Sequence, residues 1–172
     1  ELGASGPGFG EALRFADGGL PEPPFAIEVT FKTSVPRWQN LAVWGTGHDN
    51  KVELALKDDG NLQYGEATDA AFNGVMASPE VSLYDGQIHN VVAWRSKFGL
   101  VRLLVDGVLV GEGFVPSKMP EGLPDVAQTS PPHDEGYGVL DGFLSRFALY
   151  SVDLVSADAN REIGTETGDC PG

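Results

Sequence analysis

Apolar and polar residues alternate along this chain in short runs separated by turn residues. In Phe25–Thr33 (FAIEVTFKT), Phe25, Ile27, Val29 and Phe31 fall on one side and Ala26, Glu28, Thr30 and Lys32 on the other. That period of two predicts a strand with one buried and one wet face. Lys51–Leu56 repeats the pattern with Val52, Leu54 and Leu56 inward, and Asp58-Asp59-Gly60 turns it back into Asn61–Tyr64. Leu83–Gly113 is the organising stretch. There His89–Arg95 precedes Val101–Val105 and Val108–Val110, which flank Asp106-Gly107. Asp-Gly between two β-type runs is a strong hairpin signal, because both residues tolerate a left-handed backbone. Ala12–Phe15 and Leu41–Trp44 read as shorter strands. In Phe143–Tyr150 the pattern sets Phe143, Ser145, Phe147 and Leu149 against Leu144, Arg146, Ala148 and Tyr150.

The rest reads as connection. Gly65–Pro79 is small and polar, with Phe72 and Met76 as its bulky anchors. Pro116–Gly138 holds five prolines and no period, and loops of that length are commonly functional. One short helical turn is expected within Asp153–Ile163, with Ser156 as its cap. Five Asp-Gly dipeptides and closely spaced strands predict an all-β, two-sheet antiparallel β-sandwich. Its expected limits are residues 12–164, between a lead-in over 1–11 and a tail over 165–172.

Charge narrows the partners. Eleven basic against 25 acidic residues give a net charge of −14, which argues against nucleic acid and against anionic membrane surfaces. It permits a divalent cation held by oxygen ligands. No apolar run is long enough to cross a bilayer, so no direct membrane insertion is expected. The single cysteine, Cys170, allows no intrachain disulfide. The chain starts at Glu1 rather than Met. It is therefore read as a processed protein or a module with neighbouring domains in a longer chain.

Three segments together resemble the laminin G-like, concanavalin A-like lectin jelly roll of the pentraxin-like branch. They are Phe25–Thr33, then Asp85-Gly-Gln-Ile-His-Asn-Val-Val-Ala-Trp-Arg with Leu103-Leu-Val-Asp-Gly, then Phe143–Tyr150 with the following Ser-Val-Asp-Leu-Val-Ser-Ala-Asp. Ile88 stands where that family usually has Trp. The resemblance implies a jelly roll, an extracellular or cell-surface setting, and a role in carbohydrate binding or cell adhesion. It also implies a calcium at one end of the sandwich, with Asp49 as one ligand and Asp134 or Asp125 as the second.

The residues themselves suggest where a ligand would sit. A flat sugar face stacks on an aromatic ring while neighbouring polar groups fix its hydroxyls. Trp38 with Arg37 and Asn40, and Tyr137 in the Pro-rich loop, have that chemistry. His48 beside Asp49 and His133 beside Asp134 suggest an imidazole-containing site if their loops meet. The expected binding rim is Pro36–Asn40, Gly45–Asn50 and Pro124–Tyr137. Trp44 and Trp94 are read as core, and His89 as satisfying backbone groups. The carboxylate spacing of glycan hydrolases is missing, since Glu53 has only Lys51 as its even-spaced neighbour. The leading expectation is a non-catalytic extracellular module that binds a glycan or a partner protein. A structural or assembly domain of a larger surface protein is the alternative, and a glycan-active hydrolase comes third.

Overall fold

The computed structural model describes residues 14–15, 19–45, 50–68, 71–123, 127–128 and 138–151. The expected lead-in, C-terminal tail and helical turn, with Cys170, lie outside them, and so do His48, Asp49, Asp125, His133, Asp134 and Tyr137. Eleven strands make two antiparallel sheets among the described residues. One sheet runs β1 (Arg14–Phe15), β10 (Ala127–Gln128), β3 (Gln39–Gly45), β4 (Lys51–Leu56), β5 (Leu62–Thr68), β6 (Ala71–Ala77). The other runs β11 (Gly142–Tyr150), β2 (Phe25–Thr33), β7 (Ile88–Arg95), β8 (Leu100–Val105), β9 (Val108–Phe114). The all-β sandwich therefore stands.

The inward residues of β2 pack on those of β4 and β5. Phe25, Ile27, Val29 and Phe31 meet Val52, Leu54, Leu56, Leu62 and Tyr64 in one buried cluster. The Asp106-Gly107 hairpin forms with both residues left-handed, at φ 51° and 82°. Trp44 is core, as expected, and its ring lies 6.1 Å from that of Phe147. Trp94 is also buried, at 2% exposure. It pairs with Ala26 and Arg102 on the outward side of its sheet, away from the main cluster.

Some expectations need correction. The small, polar stretch after Tyr64 carries two strands' worth of ladder, because β5 runs on to Thr68 and β6 pairs along its full length. Phe72 and Met76 are not anchors: they are 50% and 56% exposed, while Val75 and Ala77 face the core. The Phe72 ring lies over Gly65, and a Cβ there would collide with it. The Pro-rich stretch contains β10, which bridges β3 and β1. In β11 a bulge near Ser145 breaks the alternation. Leu144 and Phe147 consequently both face inward, and Phe143 turns to solvent at 49% exposure.

One charged cluster sits between the sheets. The Arg95 guanidinium bonds Glu66 through Nε at 2.5 Å, and the two residues are 0% and 2% exposed. The buried Tyr64 hydroxyl donates to the same carboxylate at 2.7 Å. Burial, followed by the Glu66 charge, raises the Tyr64 hydroxyl well above its ordinary range, so it remains a donor. Arg95 also donates to the carbonyls of Ser96, Pro116 and Ser117. Breaking such a pair leaves a charge stranded in the core, at a cost of about 3–5 kcal/mol. Arg95→Met should therefore lower the urea midpoint by about 2 M, for a slope of about 2 kcal/mol per molar. A midpoint within about 0.3 M of the parent would show that Glu66 finds other compensation.

Candidate functional site

The pairing of β3 with β4 brings the candidate ligand residues together. Gln39 pairs with Leu56, so the strand continuations place Trp38 beside Lys57. The Lys57 ammonium sits 3.3 Å from the centroid of the indole. Trp38 Nε1–H donates to Asn40 Oδ1 at 3.4 Å. The Tyr84 hydroxyl locks the two turns together by sharing its proton between the backbone carbonyls of Arg37, at 2.8 Å, and Lys57. Burial, then the charges of Asp58 and Asp59, push that phenol up to about 12, which keeps it a donor at every physiological pH. Arg37 is half exposed and pairs with the half-exposed Asp141 at 3.2 Å.

Beneath this cluster lies a buried polar joint. Gln39 is fully buried; its amide N–H donates to Val35 O at 2.6 Å, and its carbonyl accepts from Asp141 N–H at 2.7 Å. The Thr33 hydroxyl donates to Asp141 O at 2.6 Å. The loop carrying Arg37 is thus bound to the strand ends on both sides of it.

Of the expected ligand residues, Arg37 and Trp38 reach solvent, whereas Asn40 is 3% exposed and supports Trp38. Pro36–Asn40 and Gly45–Asn50 stand at opposite ends of β3, so they cannot share a rim. At the far end, Asn50 Nδ2 donates to Glu121 O at 2.5 Å, in the Pro-rich stretch. An open cleft of ≈ 460 Å³ lies there, lined by residues 20–23 and 117–123. Among the described residues no three of His, Cys, Asp and Glu gather as a metal site.

Sequence reading missed Lys57, Tyr84 and Asp141. Lys57 was hidden by the register shift between Asn40 and Ala42, since a regular ladder would set Trp38 opposite Asp58. Tyr84 and Asp141 arrive from distant parts of the chain.

His89 differs from its expected role. Its ring bonds two carboxylates instead of backbone groups: Nδ1 meets Asp106 at 2.9 Å and Nε2 meets Asp85 at 3.0 Å. Its side chain is 6% exposed. Burial opposes the charged ring, but the bonds and charges of Asp106 and Asp85 outweigh it and raise His89 above its ordinary value. Asp85 is lowered by the N–H of Gln87 and then by His89. Asp106 is lowered by the N–H of Asn90 and by His89, against desolvation.

No family model matches the chain, and no curated protein matches it in sequence. Solved structures do. The CBM40 of Ruminococcus gnavus IT-sialidase superposes with a TM-score of 0.65 at 15% identity, over 86% of this chain and 94% of its own. The same module is also known bound to α2,3-sialyllactose. Mouse laminin α1 chain domains LG4-5 match with a TM-score of 0.62 at 20% identity, over 87% of this chain and 41% of theirs. A SAP-like pentraxin of Limulus polyphemus matches at 0.59 and 17%, over 88% and 75%. The fold is therefore the concanavalin A-like jelly roll that the sequence resembles, and at these identities the likeness is one of fold.

The His89 clasp sets a pH optimum. A raised imidazole contributes stability that is full below about pH 6.5 and lost as pH rises through its folded value. The two lowered carboxylates contribute stability that is present above about pH 4 and lost as pH falls through theirs. The clasp's contribution should peak between about pH 4 and 6.5. In parallel melts, the stability advantage of the parent over His89→Gln should shrink as pH rises from 6 to 9. An unchanged difference from pH 6 to 9 would contradict the clasp.

Proposed function

We propose that this chain is a non-catalytic, extracellular recognition module that binds an acidic glycan at the Arg37–Trp38–Lys57 end of the sandwich. The observation that carries the reading is the Lys57 ammonium resting on the Trp38 indole. In a chain with 25 acidic residues, this cation is stacked on a ring rather than paired with a carboxylate. An anionic group would meet Lys57 and Arg37 while the sugar lies against the exposed part of the indole. Tyr84 and Gln39 hold the arrangement in place, so little ordering is required on binding. The sialyllactose held by a CBM40 of the same fold supports this ligand class. A calcium held by oxygens of Asp49 with Asp125 or Asp134 is a separate part of this proposal, supported by the sequence resemblance.

A second reading, contact with a partner protein or a neighbouring domain, is favoured by exposed apolar residues. Ile88, Leu109 and Phe114 on the outward side of β7–β9, with Phe98 in the β7–β8 turn, are 63%, 52%, 74% and 72% exposed. Large apolar side chains exposed on one sheet face are a feature of interaction surfaces.

On a glycan array the chain should bind carboxylated or sulfated sugars over neutral ones. Trp38→Ala and Lys57→Met should each weaken binding about tenfold or more, the loss of a central contact. Silence on every acidic glycan, together with concentration-dependent self-association, would favour the second reading. Calcium is tested separately by melting. At a hundredfold excess over Kd it should add about 2.7 kcal/mol, roughly 6–10 °C, and Asp49→Ala should abolish the gain. No shift between millimolar calcium and excess EDTA would remove calcium from the reading.

A further inference from the structure

A run of hydrogen bonds and one peptide link connect His89 to the Arg37–Trp38 end. His89 bonds Asp85, whose carboxylate also takes the N–H of Gln87 at 2.7 Å and so closes the turn on itself. Between them Gly86, left-handed at φ 74°, donates its N–H to Thr33 O at 3.0 Å. The Thr33 hydroxyl holds Asp141 O, Gln39 holds Asp141 N–H, and the Asp141 carboxylate holds Arg37. Thr33 and Gln39 are 2% and 0% exposed, so water has little access to replace these bonds.

We propose that His89 is a proton-operated latch on the Arg37–Trp38 end, closed in mild acid and released as the ring loses its proton. The inference rests on that end being the ligand site only for its biological consequence. The reason for the latch is a count of donors. An imidazolium has two N–H groups and satisfies both carboxylates. A neutral ring has one, so its other nitrogen sets a lone pair against a carboxylate. One contact must open. Asp106 is also held by the Asn90 N–H at 2.8 Å, which fixes it to β7. Asp85 spends its other bond inside its own turn, so the Asp85–Gln87 turn is the part that lets go. Gly86 then slackens its hold on Thr33, and the joint beneath Arg37 loosens.

Among the described residues no other charged group competes for the ring. The facing element β2 offers Phe31, with ring centroids 6.4 Å apart, and Lys32 alternates onto the opposite side of the sheet. From the β8–β9 turn comes Asp106, and from the turn before β7 comes Asp85.

The test is NMR on the whole chain without ligand. The His89 ring is titrated, and amide exchange at Gly86 and Asp141 is followed across the same range, corrected for the intrinsic pH dependence of exchange. Protection at both should fall about tenfold or more with the midpoint of His89, while Ala93 and Leu103 in the β7–β8 ladder stay protected. His89→Gln should leave Gly86 weakly protected at every pH. Asp85→Asn should lower the His89 midpoint and remove the pH dependence at Gly86. A ring that titrates while Gly86 and Asp141 stay level would overturn the latch, as would a His89 midpoint at or below about 6.5. If both variants fail to fold, the titration of the parent chain decides alone. No glycan enters these measurements, so a failed glycan screen and a failed latch are separate results.

Discussion

The burial of Arg95 constrains this fold more than any other contact. A guanidinium cannot lose its proton to escape a dry interior, so it must be fully satisfied there. Glu66 on β5 supplies the charge, and the carbonyls of Ser96, Pro116 and Ser117 accept from the terminal nitrogens. This arrangement fixes two relationships. It ties the six-stranded sheet to the five-stranded one across the core. It also pins the chain where it leaves β9, so the segment that runs on to Glu121 starts from a fixed point and meets Asn50.

The two ends of the sandwich are consequently built from different materials. The Asn50 end depends on a buried ion pair and on a proline-rich segment folded over it. The Trp38 end is held mainly by neutral groups, the amide of Gln39 and the hydroxyls of Thr33 and Tyr84. Its ion pair, Arg37 with Asp141, is half exposed, and Lys57 rests on the Trp38 ring, so both cations stay at the surface. The middle of the six-stranded sheet offers less: Val43, Glu53, Ala55 and Gln63 point outward yet are almost fully buried. The centre of this sheet therefore offers few side chains to a partner, in keeping with the proposal of a site at an end of the sandwich.

Much of this was legible in the sequence. The period of two located β2, β4, β7 and β8, and Asp106-Gly107 marked its hairpin, because alternation and turn chemistry are local properties. Register was not legible wherever the ladder is irregular. Counting back from the Gly45–Lys51 pair without the shift between Asn40 and Ala42 sets Trp38 opposite Asp58, one residue away from its observed neighbour. A bulge in β11 likewise reversed the side assigned to Phe143. β6 was lost because Ala71, Gly74 and Ala77 have low strand propensity and are placed by pairing with β5. His89 was assigned to the backbone because its two carboxylates, Asp85 and Asp106, lie in separate turns. Each carried a sufficient local explanation as a turn former.

The overall charge sharpens the functional argument. A net charge of −14 repels an acidic ligand at long range, but physiological salt screens that repulsion within about 8 Å. Specific attraction must therefore act at contact, through a few cations that have not been spent on carboxylates of their own. Arg102, Lys118, Arg146 and Lys51 are each paired with a glutamate, and Arg95 is buried. Lys57 is held by a ring, which keeps the ammonium in place without neutralising it. A cation fixed in that way, beside an aromatic surface and a second cation whose carboxylate partner is half exposed, is suited to an anionic sugar and has little value to the core.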